Sequence, residues 1–173
     1  MEINLPPKTI GEKIVDAERE GNLIFLQNMI AEKQLDPLEI TIPEGWNKLH
    51  LANLIVSSHI KTVQFYLDKG VSVNAQDAYG NTPLHYAMEN NNPEAALQLL
   101  AAGANPNIPN RDNVIPLAMI GGMPERLDVL EKMLQNGGDV HFYNGDQTVL
   151  ESYLPNETEP ELLPIYNLMK QYA

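Results

Sequence analysis

The chain has 173 residues, 43% of them hydrophobic, and a formal net charge of −12. That length and apolar content suit one domain with a substantial core. Its 11 Lys and Arg are scattered, with none between Lys69 and Arg111, which argues against nucleic-acid binding because phosphate recognition needs clustered cations.

In chain order, residues 10–19 read as one helix, Gly21-Asn22 as a tight break, and residues 23–33 as a second helix with Leu23, Leu26, Met29 and Ile30 on one face. Paired helices are then expected over 49–56 and 60–69, over 83–90 and 93–102, and over 116–120 and 124–135. The turns within these pairs fall at Ser57-Ser58-His59, Asn91-Asn92 and Gly121-Gly122. A last, fainter helix start at Thr148 leads to a polar, acidic loop over 156–159 and a final helix over about 161–171. Pro164 is tolerable only in a first turn, so that helix begins close to Pro160 or later.

The best-formed helix start is Asp77-Ala78-Tyr79-Gly80-Asn81-Thr82-Pro83-Leu84-His85-Tyr86-Ala87. Thr82 offers its hydroxyl as a cap, Pro83 sits where its missing N–H costs nothing, and Leu84 and Ala87 begin an apolar face. The pattern also stands 35 residues earlier, in Gly45-Trp46-Asn47-Lys48-Leu49-His50-Leu51-Ala52, and 33 residues later, in Asn113-Val114-Ile115-Pro116-Leu117-Ala118. A fainter copy follows after another 33, in Asp146-Gln147-Thr148-Val149-Leu150-Glu151. A second landmark recurs in phase: Leu67-Asp68-Lys69-Gly70-Val71-Ser72-Val73-Asn74, Leu100-Ala101-Ala102-Gly103-Ala104-Asn105-Pro106-Asn107, and Leu134-Gln135-Asn136-Gly137-Gly138-Asp139-Val140-His141. Its glycines 70, 103 and 137 fall where a helix stops in the left-handed conformation. Ile115 replaces the capping threonine, at a local cost of about 1 kcal/mol.

Thr-Pro-Leu-His opening one helix, and Leu-x-x-Gly-Ala-x-x-Asn ending the next, resemble the ankyrin repeat, and the resemblance covers residues 43–153 directly. It implies an all-α solenoid of stacked helix-turn-helix units joined by β-turn fingers and capped at both ends. Residues 1–44 would be an N-terminal cap repeat and first finger. Repeats would follow at 45–78, 79–111 and 112–144, with 145–173 as a degenerate C-terminal cap.

The residues give little support to chemistry. The chain has no cysteine, hence no thiolate metal site or cysteine nucleophile. In the family the histidine at positions 50 and 85 hydrogen-bonds within and between repeats, and stacking would hold the two about 10 Å apart, too far to share a zinc. His59 and His141 lack a Cys, His or Asp at metal spacing. Serines 57, 58, 72 and 152 sit in no glycine-flanked elbow, and Gly121-Gly122 and Gly137-Gly138 lack the lysine of a phosphate loop. Glu157, Glu159 and Glu161 lie on a surface loop, where their pKa values have no reason to separate. The expectation is therefore no enzyme, no cofactor and no metal. No run is long and apolar enough for a bilayer, and the first residues lack a secretory pattern, so a cytoplasmic monomer is expected.

What the resemblance implies instead is binding through the concave face, formed by finger tips and the outward sides of first helices. The fold leaves certain positions free there: Trp46, Ala78, Tyr79, Asn81, Asp112, Val114 and Gln147 on the fingers, and Leu54, Ile55, Glu89 and Asn90 on first helices. Phe142 and Tyr143 belong to the last full finger. Aromatic anchors on a rigid ridge are the stuff of hot spots, although Trp46 and Tyr79 stand close enough in register to touch each other instead. Asp139, Asp146, Glu151, Glu157, Glu159 and Glu161 form either a solvated cap or a docking patch for a basic protein. The expected function is a non-catalytic scaffold binding another protein, with a basic surface as the complement of this acidity. The alternatives are an inhibitor or antitoxin-like protein, an effector delivered into a host cell and, lowest, an enzyme with an unrecognised site.

Overall fold

Polar side chains at the helix starts set most of the element boundaries. The structure, a computed structural model, describes residues 7–54, 60–155 and 158–173, the side chain of Leu54 excepted. Ile55, the turn at Ser57-Ser58-His59 and the Asn156-Glu157 part of the acidic loop lie outside the described residues. Helix α1 (Ile10–Glu20) opens with a capping box in which the Thr9 N–H donates to the Glu12 carboxylate at 2.7 Å and the Glu12 N–H returns a bond to the Thr9 hydroxyl. Asn22 caps α2 (Leu23–Ala31) through the Phe25 N–H at 3.1 Å. Asn47 caps α3 (Lys48–Leu54) by accepting from the Leu49 and His50 N–H groups. After α4 (Ile60–Asp68), α5 (Pro83–Glu89) starts at Thr82, and α6 (Pro93–Ala101) starts at Asn92, which accepts from the Ala95 N–H.

The third pair departs from expectation. Residues Pro116–Gly122 form 3-10 turns instead of an α-helix, and α7 (Leu127–Gln135) opens three residues after Pro124. Neither Ile115 nor Arg126 supplies a side-chain cap, and Gly121-Gly122 weakens any helix that reaches it. A tyrosine holds the weak segment instead. The Tyr153 hydroxyl donates to the Ala118 carbonyl at 2.7 Å and accepts from the Gly121 N–H at 2.8 Å, and burial pushes that phenol up to about 12.

A capping box between Thr148 and Glu151 starts α8 (Val149–Ser152). The expected final helix is split into a 3-10 turn at Pro160–Leu162, α9 (Leu163–Met169) and a 3-10 end at Lys170–Tyr172. Pro164 lies in the first turn of α9, where its missing N–H has no partner to lose.

The helices stack in two rows. One row runs α3, α5 and the Pro116–Gly122 turns; the other runs α2, α4, α6, α7 and α9. Between them lies one continuous apolar core that includes Leu26, Leu49, Tyr66, Leu84, Leu99 and Met133. Asparagines stitch the rows along the stack. Asn74 accepts from the Asn105 N–H at 2.8 Å and donates to the Gly103 carbonyl. One repeat on, Asn107 accepts from the Asp139 N–H at 2.8 Å and donates to the Gly137 carbonyl. In its first two copies the second sequence landmark thus ends on a residue whose amide binds the next unit.

Candidate binding face

The fingers are tight turns, each closed by one side chain. Asp77 is the best example. Its N–H donates to the Asn81 carbonyl at 2.9 Å, and its Oδ1 accepts from the N–H groups of Tyr79 and Asn81 at 2.8 and 2.9 Å. Asn110 repeats the arrangement one finger on, accepting from Asp112 and Val114, and Asn144 does so again with Asp146 and Gln147. Neighbouring fingers are bonded through their backbones: the Ala78 N–H donates to the Glu44 carbonyl at 2.7 Å and the Arg111 N–H to the Tyr79 carbonyl at 2.9 Å.

The other oxygen of Asp77 reaches across the repeat boundary. It accepts from the Tyr86 hydroxyl at 2.6 Å and the Trp46 indole N–H at 3.0 Å. Burial acts to raise this carboxyl, but the bonds from Tyr86, Tyr79, Asn81 and Trp46 outweigh it and hold it below its ordinary value. Asp77 and Tyr86 stand outside the positions that the sequence marks for partner binding. A usable signal was present in the series Asp77, Asn110, Asn144, a turn-closing side chain at close to the repeat spacing.

The two motif histidines complete the wiring. Each accepts at Nδ1 from its own repeat, from the Asn47 and Thr82 N–H groups at 3.0 Å. Each Nε2 then lies 3.1 Å from a carbonyl of the next repeat, His50 on Asn81 and His85 on Val114. That geometry assigns the Nε2–H tautomer to both. Burial pushes both imidazoles below their ordinary 6.5, against the carbonyl bonds that favour the charged form. A histidine depressed in the folded state binds fewer protons there than in the unfolded chain. Its stabilising effect is therefore full above about pH 6.5 and lost as pH falls through the depressed folded value. The urea midpoint is expected to drop between pH 7.5 and pH 5.0, and the drop is expected to shrink in His50→Gln combined with His85→Gln.

Around this wiring nine of the candidate positions divide in two. Tyr79 and Tyr143 stand 57% exposed on the second and fourth fingers, and Glu89 and Asp112 are exposed as well. The remaining five are half-buried on internal partners, and the Tyr143 hydroxyl too donates within its own finger, to the Gly145 carbonyl at 2.9 Å. The Trp46 indole is half-buried on Asp77 and Tyr86, and no ring contact with Tyr79 occurs among the described residues. The Asn81 side chain accepts from the Asn110 amide at 3.0 Å, so this residue, expected to be unused by the repeat, helps to join two fingers. The Asn90 amide donates to the Asn53 and Tyr86 carbonyls. The Val114 carbonyl takes the bond from His85, and Phe142 lies against the core. Of the first-helix positions, Leu54 ends α3 with its side chain outside the described residues, and Ile55 lies outside them altogether.

The family model for ankyrin repeats, in three copies, matches residues 15–110. The chain belongs to the ankyrin-repeat family. Ankyrin repeats mediate protein–protein interaction. Among curated relatives the chain is 29% identical over 128 residues to an ankyrin repeat protein of fowlpox virus, covering 73% of this chain and 37% of that protein. A second fowlpox virus ankyrin repeat protein is spanned for only 16% of its length. Protein phosphatase 1 regulatory subunit 27 of Mus musculus is 28% identical over 117 residues, covering 68% of this chain and 73% of that protein. Among the described residues no helix is long and apolar enough to cross a membrane.

Proposed function

We propose that this ankyrin-repeat chain is a non-catalytic scaffold that grips a partner protein with its finger tips and the outward sides of its first helices. The carrying observation is the pair Tyr79 and Tyr143, each 57% exposed on turns whose backbones are closed and cross-bonded. An aromatic on a rigid tip supplies contact area with little entropy to lose on binding. Glu89, Asp112 and Asp146 are exposed and, with the net charge of −12, favour a partner with a basic surface. A cytoplasmic location suits a chain without cysteine, and a solenoid capped at both ends suits a monomer.

The test pairs Tyr79→Ala with Tyr143→Ala. Affinity for a partner captured from the native cell and titrated in purified form is expected to fall at least tenfold, with the thermal midpoint unchanged. Unaltered affinity would remove the finger tips from the interface.

A second reading is regulation of an enzyme by covering part of its surface. The likeness to a phosphatase regulatory subunit, which runs over most of that protein's length, favours it. A change in the partner's own activity on binding separates this reading from simple scaffolding.

A further inference from the structure

The last turn of α1 carries a carboxylate that the ankyrin wiring does not use. Glu18 is 9% exposed, and its side chain accepts a hydrogen bond from the Tyr66 hydroxyl of α4. Among the described residues no cation pairs with it. It lines a groove of about 340 Å³ between α1, the start of the first finger and α3. The apolar walls come from Ile14 and Val15 on α1, Leu35 after α2 and Leu51 on α3. Lys48 and Glu39 also line it and pair loosely with each other at 3.7 Å, which leaves the groove with one negative charge in excess.

We infer that this groove is a pocket for a single basic side chain, Arg or Lys, presented by an extended segment of a partner protein. A buried carboxylate with only a hydroxyl for company is costly, and an incoming cation recovers that cost. Long basic side chains lay an apolar stem along an apolar wall while the charged head reaches an acceptor, and the groove offers such walls with Glu18 among them. Leu38 and Ile40, both 57% exposed, flank Glu39 in the first finger, and in an extended partner the residues two before and two after the basic one project the same way. Aliphatic side chains at those positions would cover Leu38 and Ile40. A second copy of this chain is disfavoured as occupant, since both would carry a charge of −12.

This pocket adds an anchor to the proposed protein-binding role and rests on it. The experiment pans a random heptapeptide display library on the full chain, with counter-selection on Glu18→Gln, and measures winners by fluorescence polarisation. Glutamine can still accept from the Tyr66 hydroxyl, and a Leu38→Ser, Ile40→Ser double variant, altered only at exposed positions, gives an independent arm. Enriched peptides are expected to share one Arg or Lys with aliphatic residues two positions away, and to lose at least tenfold in affinity in both variants. Winners without a basic residue, winners indifferent to Glu18→Gln, or a Glu18-dependent self-association in sedimentation would each overturn the pocket. Winners weakened by Tyr79→Ala but not by Glu18→Gln would overturn it while leaving the proposed face intact; the reverse pattern would leave the pocket and remove the finger tips.

Discussion

Replacing Asp77 by alanine is expected to lower the unfolding free energy by about 3 kcal/mol, the cost of stranding several donors around one missing acceptor. The Tyr86 hydroxyl and the N–H groups of Tyr79 and Asn81 lose this acceptor at once, and the Trp46 indole keeps only its longer bond to the Tyr86 hydroxyl at 3.2 Å. Against a total stability of about 5–15 kcal/mol for a typical domain, such a loss is large. Asp77→Asn should be milder, since its amide oxygen can still serve the two backbone donors. The acid limb supplies a second reading of the same residue. Asp77 is held below its ordinary 3.8, so its contribution is full above that value and is lost as pH falls through the lower folded one. Urea melts between pH 5 and pH 2 should therefore be flatter in Asp77→Asn than in the wild type. A parallel pair of curves would show that the carboxylate is not the acceptor described.

Gly80→Ala is expected to cost about 3 kcal/mol, of which about 1 is the left-handed backbone and the rest a collision. Gly80 has φ +81°, and a Cβ there would sit 3.0 Å from both the Arg111 nitrogen and the Asn110 Cα. Both are backbone atoms of the next finger, so neither can swing aside. Gly103 is the internal control: its φ is +91°, yet a Cβ would meet nothing within 4 Å. Gly103→Ala should then cost only about 1 kcal/mol. Urea unfolding of the two variants checks the difference, and faster amide exchange at Arg111 in Gly80→Ala alone would locate it at the Tyr79 carbonyl. Equal losses would refute the close approach of the two fingers.

Much of the architecture could be read from the chain because its two landmarks each do a mechanical job that only a few residue types perform. Thr82 with Pro83 starts a helix, His85 bridges to the next repeat, and Asn74 and Asn107 bind the unit that follows. The third pair departs from its expected helices because periodicity reports an apolar face but not whether a helix can start. Leu117 and Ile120 are buried, yet with Ile115 before them and Gly121-Gly122 after them they settle for 3-10 turns. The binding positions were harder still. Trp46, Asn81 and Asn90 stand at places the repeat leaves variable, and variable positions also find intramolecular partners. Nothing local to Trp46 announces that its indole will reach a carboxylate 31 residues on. Nor does anything local to Glu18 mark it, since a groove between α1 and a finger exists only after folding.

The bonds from His50 to Asn81, from His85 to Val114, and from Asn113 to the Tyr143 carbonyl turn the finger row into a ruler. Each graduation is set by a hydrogen bond inside the chain. With helices packed about 8–10 Å apart, Tyr79 and Tyr143, two repeats apart, are separated by a fixed span of about 20 Å. Stretching or shortening that interval would break these bonds. A partner therefore competes on distance as well as on chemistry: one that offers two receptive hollows at the wrong pitch engages one tyrosine and forfeits the other.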